Sequence, residues 1–503
     1  EFCPLQRIRA GAAETAPWKA EVDGRLVTVT GGAASFTLET DAGAWRVEPE
    51  GVVLEWPLSV GAKRSTALTW SVVMSDPGMV VQAAPRSERW TVSTEGLDRR
   101  LARWVETALD DLHALRLAMP DHPEDAFIAA GAPSFLTLFG RDSLWAARMM
   151  VPVDVSIAAS TLRVLARRQG TRNDPDIEEE PGKILHELRD TPLDTPGIGF
   201  ELPPLYYGTV DATALWVCLL VDAWRAGMPK DEVAALIPNL RSALGWIDAA
   251  AREEGFLSYI DHTGKGLANQ GWKDTGDAVQ WRDGRLADGP ITLCEVQGYA
   301  HEAAAGAADL LEAFGEEGAA EWRSWAARLR ERFNERFWVT TVEGTYPAIA
   351  LDRDGRAVDT LTSNIGHLLG TGIVGPEAEA RIAELLVGPT MNSGFGVRTL
   401  STEAAGYQPL AYHSGAVWAH DSAIVAHGMA RIGRYEEAAV VVEGLVNAAE
   451  GFGYRMPELH SGHPRAARAR PVPYPRACRP QAWSAAAAIT SLDIAQSCDS
   501  ETP

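Results

Sequence analysis

Near residue 97 the hydrophobic period of this chain changes, and the change limits the folds open to it. Upstream, Arg25-Leu-Val-Thr-Val-Thr30 and Ala34-Ser-Phe-Thr-Leu-Glu-Thr40 alternate apolar and polar residues. Trp70-Ser-Val-Val-Met74 and Arg89-Trp-Thr-Val-Ser93 look similar, with Gly and Pro turns between the segments. A period of two with β-branched residues predicts strands, and so a small antiparallel, sandwich-like β domain over residues 1–96. Downstream the period becomes helical. Strong stripes fall near 97–118, 141–168, 211–226, 231–253, 295–315, 318–336, 376–387, 415–432, 434–449 and 481–493, and weaker ones near 181–188 and 361–370. The loops between them alternate long and short, unlike the even loops of a solenoid, and the long ones hold aromatics, acids and glycines. This predicts a closed double ring of about a dozen helices over 97–495, with a cleft at one end and a short tail at 496–503.

Charge narrows the partners. The 503 residues carry 68 acidic and 46 basic side chains, a net charge of -22. Such a surface repels phosphate backbones and anionic membranes, so neither nucleic acid nor membrane is expected. Five scattered cysteines (Cys3, Cys218, Cys294, Cys478 and Cys498) form no CxxC pair, which fits a reducing cytosol. No apolar run has membrane-spanning length, no secretory signal opens the chain, and the Glu1-Phe2 start reads as a cloning scar or a trimmed terminus.

Three loops carry chemistry. Gly140-Arg141-Asp142 follows Phe139 and precedes a helical run. A fixed guanidinium fork, a hydroxyl-accepting Asp and nearby aromatics suit a neutral sugar ring, although a helix-start ion pair needs the same residues. The glycine-rich loop 266–279 holds Trp272, Asp274 and Asp277. Partial burial beside Trp272 would raise a carboxyl toward general-acid duty; an Asx-turn or a calcium loop is the alternative, though the spacing fits no EF-hand. Glu458, in a Met-Pro-Glu-Leu loop, is a second acid, free for catalysis or paired with Arg455. Two loop carboxylates remote in sequence are what glycoside hydrolysis requires. Tyr207, Asp211, Tyr412, His413, Trp418 and His420 are candidate sugar contacts, with Asp211 alternatively an N-cap. Trp483 begins the last helix as a contact or as core. His420-Asp421 lacks a third ligand at metal spacing, so no metal is expected. Glu178–Glu187 reads as an acidic loop entering a helix.

Taken in order from about 129 to 484, these segments resemble the amylo-α-1,6-glucosidase (glycogen-debranching) family, related to glucoamylases, trehalases and glucosylglycerate hydrolases. The matching blocks include Ala-Gly-Ala-Pro-Ser-Phe-Leu-Thr-Leu-Phe-Gly-Arg-Asp-Ser-Leu, Glu-Glu-Pro-Gly-Lys-Ile-Leu-His-Glu, Asn-Gln-Gly-Trp-Lys-Asp-Thr-Gly-Asp-Ala-Val and Tyr-His-Ser-Gly-Ala-Val-Trp-Ala-His-Asp. The resemblance implies a mainly α (α/α)6 barrel with an N-terminal antiparallel β domain, inversion at the anomeric carbon, and no metal or cofactor. It makes Asp274 the proton donor, with Asp277 as rival, and Glu458 the base for water. Arg141 and Asp142 would grip the terminal glucose, with Phe139 and Gln297 among the pocket residues. One departure is Ala419 where the family has Pro. Another is Ser461–Val472, whose three arginines suit either an acidic aglycone such as a glycerate or a solvated loop. The reading that follows is removal of a terminal α-linked glucose. The alternatives are hydrolysis of a small α-glucoside or glycosylated natural product, and a catalytically silent carbohydrate-binding barrel.

Overall fold

The alternating segments pair as an antiparallel sheet. The computed structural model describes residues 17–49, 51–195, 200–261 and 263–500; Cys3 and the end of the expected tail, 501–503, lie outside them. Strands β1 (Trp18–Asp23), β2 (Leu26–Gly31), β3 (Ala34–Thr40) and β6 (Trp70–Ser75) form one sheet in that order, and β4 (Ala44–Glu48) pairs with β5 (Gly51–Glu55). The first two hairpins close on two-residue turns, with Asp23 opposite Leu26 and Gly31 opposite Ala34. Gly24 and Gly32 supply the positive φ (58° and 61°) that such turns need. Among the described residues, those as far as Val80 form one unit, and Val81–Asp194 with those from 200 onward form a second.

The strand expected at 89–93 is absent. The Trp90 indole donates to Asp154 at 2.7 Å and meets His113 edge-on, while Arg89 pairs with Asp110. The segment is extended, but side chains and not a backbone ladder hold it.

The second unit carries α1 (Arg99–Ala114), α2 (Gly140–Met150), α3 (Val155–Ala166), α4 (Ala212–Arg225), α5 (Lys230–Ala250), α6 (Cys294–Ala313) and α7 (Ala319–Arg336). It continues with a 3-10 turn over Ser363–Leu368, α8 (Pro376–Val387), α9 (Ala419–Arg431), α10 (Tyr435–Gly451) and α11 (Ala482–Ser500). A short sheet of β7 (Gln82–Ala83), β8 (Arg116–Met119) and β9 (His122–Ile128) joins them. The stripe at 141–168 splits into two helices around Pro152, whose ring cannot continue a helix. No helix forms at 181–188. Pro181 and Gly182, the latter at φ 88°, turn the chain, and Glu187–Leu188 pairs with Leu205–Tyr206 instead. The tail expected from 496 is helical as far as Ser500.

The helices close into a ring. α2 packs on α4, α4 on α6, α6 on the 363–368 turn, that turn on α9, α9 on α11, and α11 back on α2. Inner elements are apolar on every side, as their burial demands: α4 is buried along nearly its whole length, whereas outer α7 buries only Ala326, Leu329 and Phe333. Gly306 marks a close approach of α6 to α4, because a Cβ there would lie 2.8 Å from Val221. The fold is the mainly α (α/α)6 barrel with an N-terminal antiparallel β region. No helix among the described residues is long and apolar enough to cross a membrane.

Candidate active site

The first turns of the inner elements meet at one end of the ring. Arg141 of α2 reaches the residue before α4, Asn364 of the 3-10 turn reaches Glu295 of α6, and His367 reaches Asp421 of α9. Helix N-termini favour negative charge, so acids gather at this mouth. Arg141 is 3% exposed; its Nε donates to Asp211 at 2.7 Å and a terminal nitrogen to the Gln270 carbonyl at 3.3 Å. Asp211 also accepts from the Thr209 hydroxyl at 2.8 Å and makes no capping bond with its own helix. The N-cap alternative for Asp211 is therefore replaced by a buried ion pair.

Asp142, 7% exposed, shares this space with Asp274, Glu458 and Asp211. Burial foremost raises its carboxyl to about 7; Arg141 opposes the rise, and the three neighbouring acids add to it. Asp274 is raised to about 6, again by burial first, against the pull of Arg141 and with a push from Glu187 and Asp211. Its Oδ1 lies 4.0 Å from His413 Nδ1, and burial keeps that imidazole neutral. Asp277 is exposed, accepts from Thr275 at 2.7 Å and from Ser414 at 3.2 Å, and belongs to the outer rim. Glu458 is 2% exposed; it accepts from the Tyr412 hydroxyl and, at 2.9 Å, from the Cys478 backbone N–H. Its suspected partner Arg455 instead pairs with Asp111 at 2.8 Å. Adjacent Tyr412 and His413 thus join the two loop acids at one mouth.

Aromatic rings wall this space. Trp272, Trp418 and Trp483 form one cluster, with Tyr412, Tyr474 and Ala477 packed against it. His420 stacks on Trp483 at 3.7 Å, and Trp418 donates to the Tyr412 carbonyl at 2.7 Å. The indole nitrogens of Trp272 and Trp483 and both nitrogens of His420 are buried without a protein partner. Phe139 meets His186 edge-on and carries the Arg189 guanidinium over its face.

Two candidates point elsewhere. The Tyr207 hydroxyl donates to the Arg168 carbonyl at 2.6 Å. Gln297 clamps Leu257 through both its N–H and C=O, at 3.0 and 2.9 Å, and also donates to Leu293. Both side chains fasten loops. The three arginines of 461–472 are exposed, and Arg465 lies over Gly394.

The structure brings further charged side chains close to these candidates. Glu187 is 1% exposed, pairs with Arg189 at 2.7 Å and leaves one oxygen unpartnered. Glu178 accepts from Tyr206 at 2.8 Å and Gln270 at 2.7 Å. Lys273 donates to the Thr399 carbonyl at 2.7 Å behind Trp272, and burial lowers it to about 8. The Pro181-Gly182 break was the available signal: it forbids the helix that would have exposed the acids of 178–187.

A model of the mannosylglycerate hydrolase MGH1-like glycoside hydrolase domain matches residues 141–454. No curated protein matches the chain. Among solved structures, the GH63 mannosylglycerate hydrolase from Thermus thermophilus with Tris and D-glycerate is similar at 15% identity. That match covers 77% of this chain and 99% of that one, with a TM-score of 0.56. The same hydrolase with glucose gives 16% identity, the same coverage and a TM-score of 0.54. A wild-type glycosidase gives 15% identity, 79% and 99% coverage, and a TM-score of 0.54. At such identities these structures show the fold, a six-hairpin barrel. The family match bears out the six-hairpin glycosidase read from the sequence blocks and does not single out amylo-α-1,6-glucosidase. Glycoside hydrolysis on this barrel stands; an α-1,6-glucan linkage no longer follows.

Proposed function

The chain belongs to the mannosylglycerate hydrolase MGH1-like glycoside hydrolase family, and on that premise we propose that it hydrolyses a small α-glycoside with inversion. The observation that carries this reading is the meeting of Asp274 and Glu458, from loops remote in sequence, across Tyr412 and His413 at the mouth.

Asp274 is the general acid. Raised to about 6, it keeps its proton in mildly acidic solution, well above the ordinary carboxylate range, and passes it to the glycosidic oxygen as that bond breaks. Glu458 is the general base. Tyr412 and the Cys478 N–H fix its two oxygens, and it draws a proton from water attacking the opposite face of the sugar. Asp142 and Arg141 grip the hydroxyls of the terminal hexose, with glucose the first sugar to test and mannose the second. The buried indole N–H groups of Trp272 and Trp483 await hydroxyl partners of the same ring. Deep burial of Glu458 and Asp142 favours one sugar end over a long glucan, so the small-glycoside reading is preferred to branch trimming.

The roles separate by leaving group. Asp274→Asn should lose activity on glycosides that need protonation, yet keep most of it on α-glucosyl fluoride, whose leaving group needs little help. Glu458→Gln should lose both. Loss of fluoride turnover in neither variant would contradict the assignment of the base.

A further inference from the structure

We infer that Lys273, buried behind Trp272, is the positioning residue that sets the separation of Asp274 from Glu458, an inference that rests on the two-acid reading above. Inversion works only with the two carboxyls about 6.5–9.5 Å apart, so the fold has to hold the acid loop at a set distance from the base loop. One continuous path of hydrogen bonds joins them. From the acid loop, the Lys273 ammonium donates to the Thr399 carbonyl at 2.7 Å. The Thr399 backbone N–H and hydroxyl each donate to the Ala416 carbonyl at 2.9 Å, and the hydroxyl accepts from the Gly415 N–H at 2.9 Å. Val417 and Trp418 then pair, antiparallel, with His460 and Leu459, and Leu459 directly follows Glu458. At the far end the Glu458 backbone N–H donates to the Cys478 carbonyl at 2.9 Å, and its carboxylate accepts from the Cys478 N–H. On the other side of Asp274, Thr275 meets His413 Nδ1 through its hydroxyl at 3.0 Å and its backbone N–H at 3.4 Å. Both chain neighbours of the acid are thus tied to the segment that pairs with the base strand.

Of these two anchors Lys273 is the costlier to keep. It is 4% exposed, and burial opposes its charge and lowers it to about 8, while Asp421 and Glu295 favour the ammonium. A Met or Leu would fill the space beside Trp272 without that cost. What an apolar side chain cannot supply is the donor. The Thr399 carbonyl would fall back on the Ser363 N–H, at 3.4 Å, and the acid loop would lose its bond to the base side. The ammonium also lies 4.9 Å from the centre of the Trp272 ring, so the same charge steadies the residue that precedes it.

The test is a split between leaving groups, since an alkyl group needs the acid and fluoride does not. The alkyl probes are the methyl α-glycosides and 2-O-α-glycosyl glycerates of glucose and mannose, and the one that the unaltered protein turns over fastest is carried forward. The matching glycosyl fluoride reports the base and the sugar pocket. Lys273→Met should lower kcat on the alkyl glycoside about a hundredfold, with KM within about twofold and fluoride kcat within about threefold. Thr399→Val removes a link farther along the path and leaves the lysine in place. It should lower the alkyl-to-fluoride ratio of kcat about tenfold, and Thr399→Ser should restore that ratio. The Thr399 pair decides the matter where Lys273→Met does not fold. Equal losses on both leaving groups, or no loss on either, would overturn the inference, provided that Asp274→Asn does separate them; the two-acid mechanism then stands. An Asp274→Asn variant that fails to separate them, or an unaltered protein that turns over none of the probes, would overturn the mechanism, and this inference with it.

Discussion

The two ends of the inner ring bury the same kinds of residues and treat them in opposite ways. At the mouth, Asp142 and Asp274 are raised to about 7 and about 6, and Glu187 and His420 keep buried atoms without partners. Farther along the same helices, Arg148 of α2 donates to Asp222 of α4 at 2.5 Å and to Glu302 of α6 at 2.9 Å. Arg431 at the end of α9 completes the group, 2.8 Å from Glu302. Burial alone would raise the Glu302 carboxyl, but the two arginines pull it down to about 2. The deep network is matched charge for charge and ties four helices together. The mouth is acid-rich and incompletely paired. Burial of charge is thus no label of function; what distinguishes the two ends is whether the partners are already in the protein.

The largest expected effect breaks the comparison at the mouth. Asp274→Asn or Glu458→Gln should lower kcat on an alkyl glycoside by about a thousandfold while the melting temperature holds or rises. A matching loss of stability would mean that these acids are structural. The deep network should respond the other way. Glu302→Gln leaves the Arg148 guanidinium, 10% exposed, and the exposed Arg431 short of a partner and should cost about 3 kcal/mol in denaturant unfolding, with kcat nearly unchanged at low temperature.

A third effect lies in the pH dependence of stability. Glu302 has a folded value below its ordinary 4.5, so its contribution is full above 4.5 and is lost as pH falls toward 2. Asp142 has a folded value above its ordinary 3.8. The folded state therefore binds more protons than the unfolded between about 4 and 7, and stability falls as pH rises through that window. Asp142→Asn should raise the melting temperature at pH 8 and leave it unchanged near pH 3, as calorimetry at the two pH values would show. The smallest effect is kinetic. kcat/KM should decline above about pH 6 as Asp274 ionises. Glu187→Gln removes a charge that favours the proton on Asp274, so the alkaline limb should move to lower pH by about half a unit; an unmoved limb would place Glu187 outside the acid's field.

Much of the barrel was legible because inner helices are apolar all round and outer ones are striped, a difference that sequence carries directly. The 181–188 stretch misled because its apolar spacing mimics a helix while Pro181 and Gly182 forbid one. The 89–93 segment misled because alternation records burial on one face, and there the burial comes from Trp90 on His113 and not from a sheet partner. Asp274, Glu458, Arg141 and Asp142 stood out as candidates because acids and a guanidinium in glycine- and aromatic-rich loops draw attention in a sequence, and the ring brings them to one mouth. Tyr207 and Gln297 sat in equally suggestive blocks, but their side chains bond backbone carbonyls and an N–H contributed by other loops. Glu187 was hidden for the same reason in reverse, since its burial depends on Arg189 and on strands brought together by the ring.

The most direct test of the two-acid mechanism is proton NMR of the first turnovers on α-glucosyl fluoride, repeated with α-mannosyl fluoride. Inversion across Asp274 and Glu458 predicts that the β-anomer of the free sugar appears first and the α-anomer only later, by mutarotation. Initial release of the α-anomer would contradict it, because retention requires a carboxylate that attacks the sugar itself.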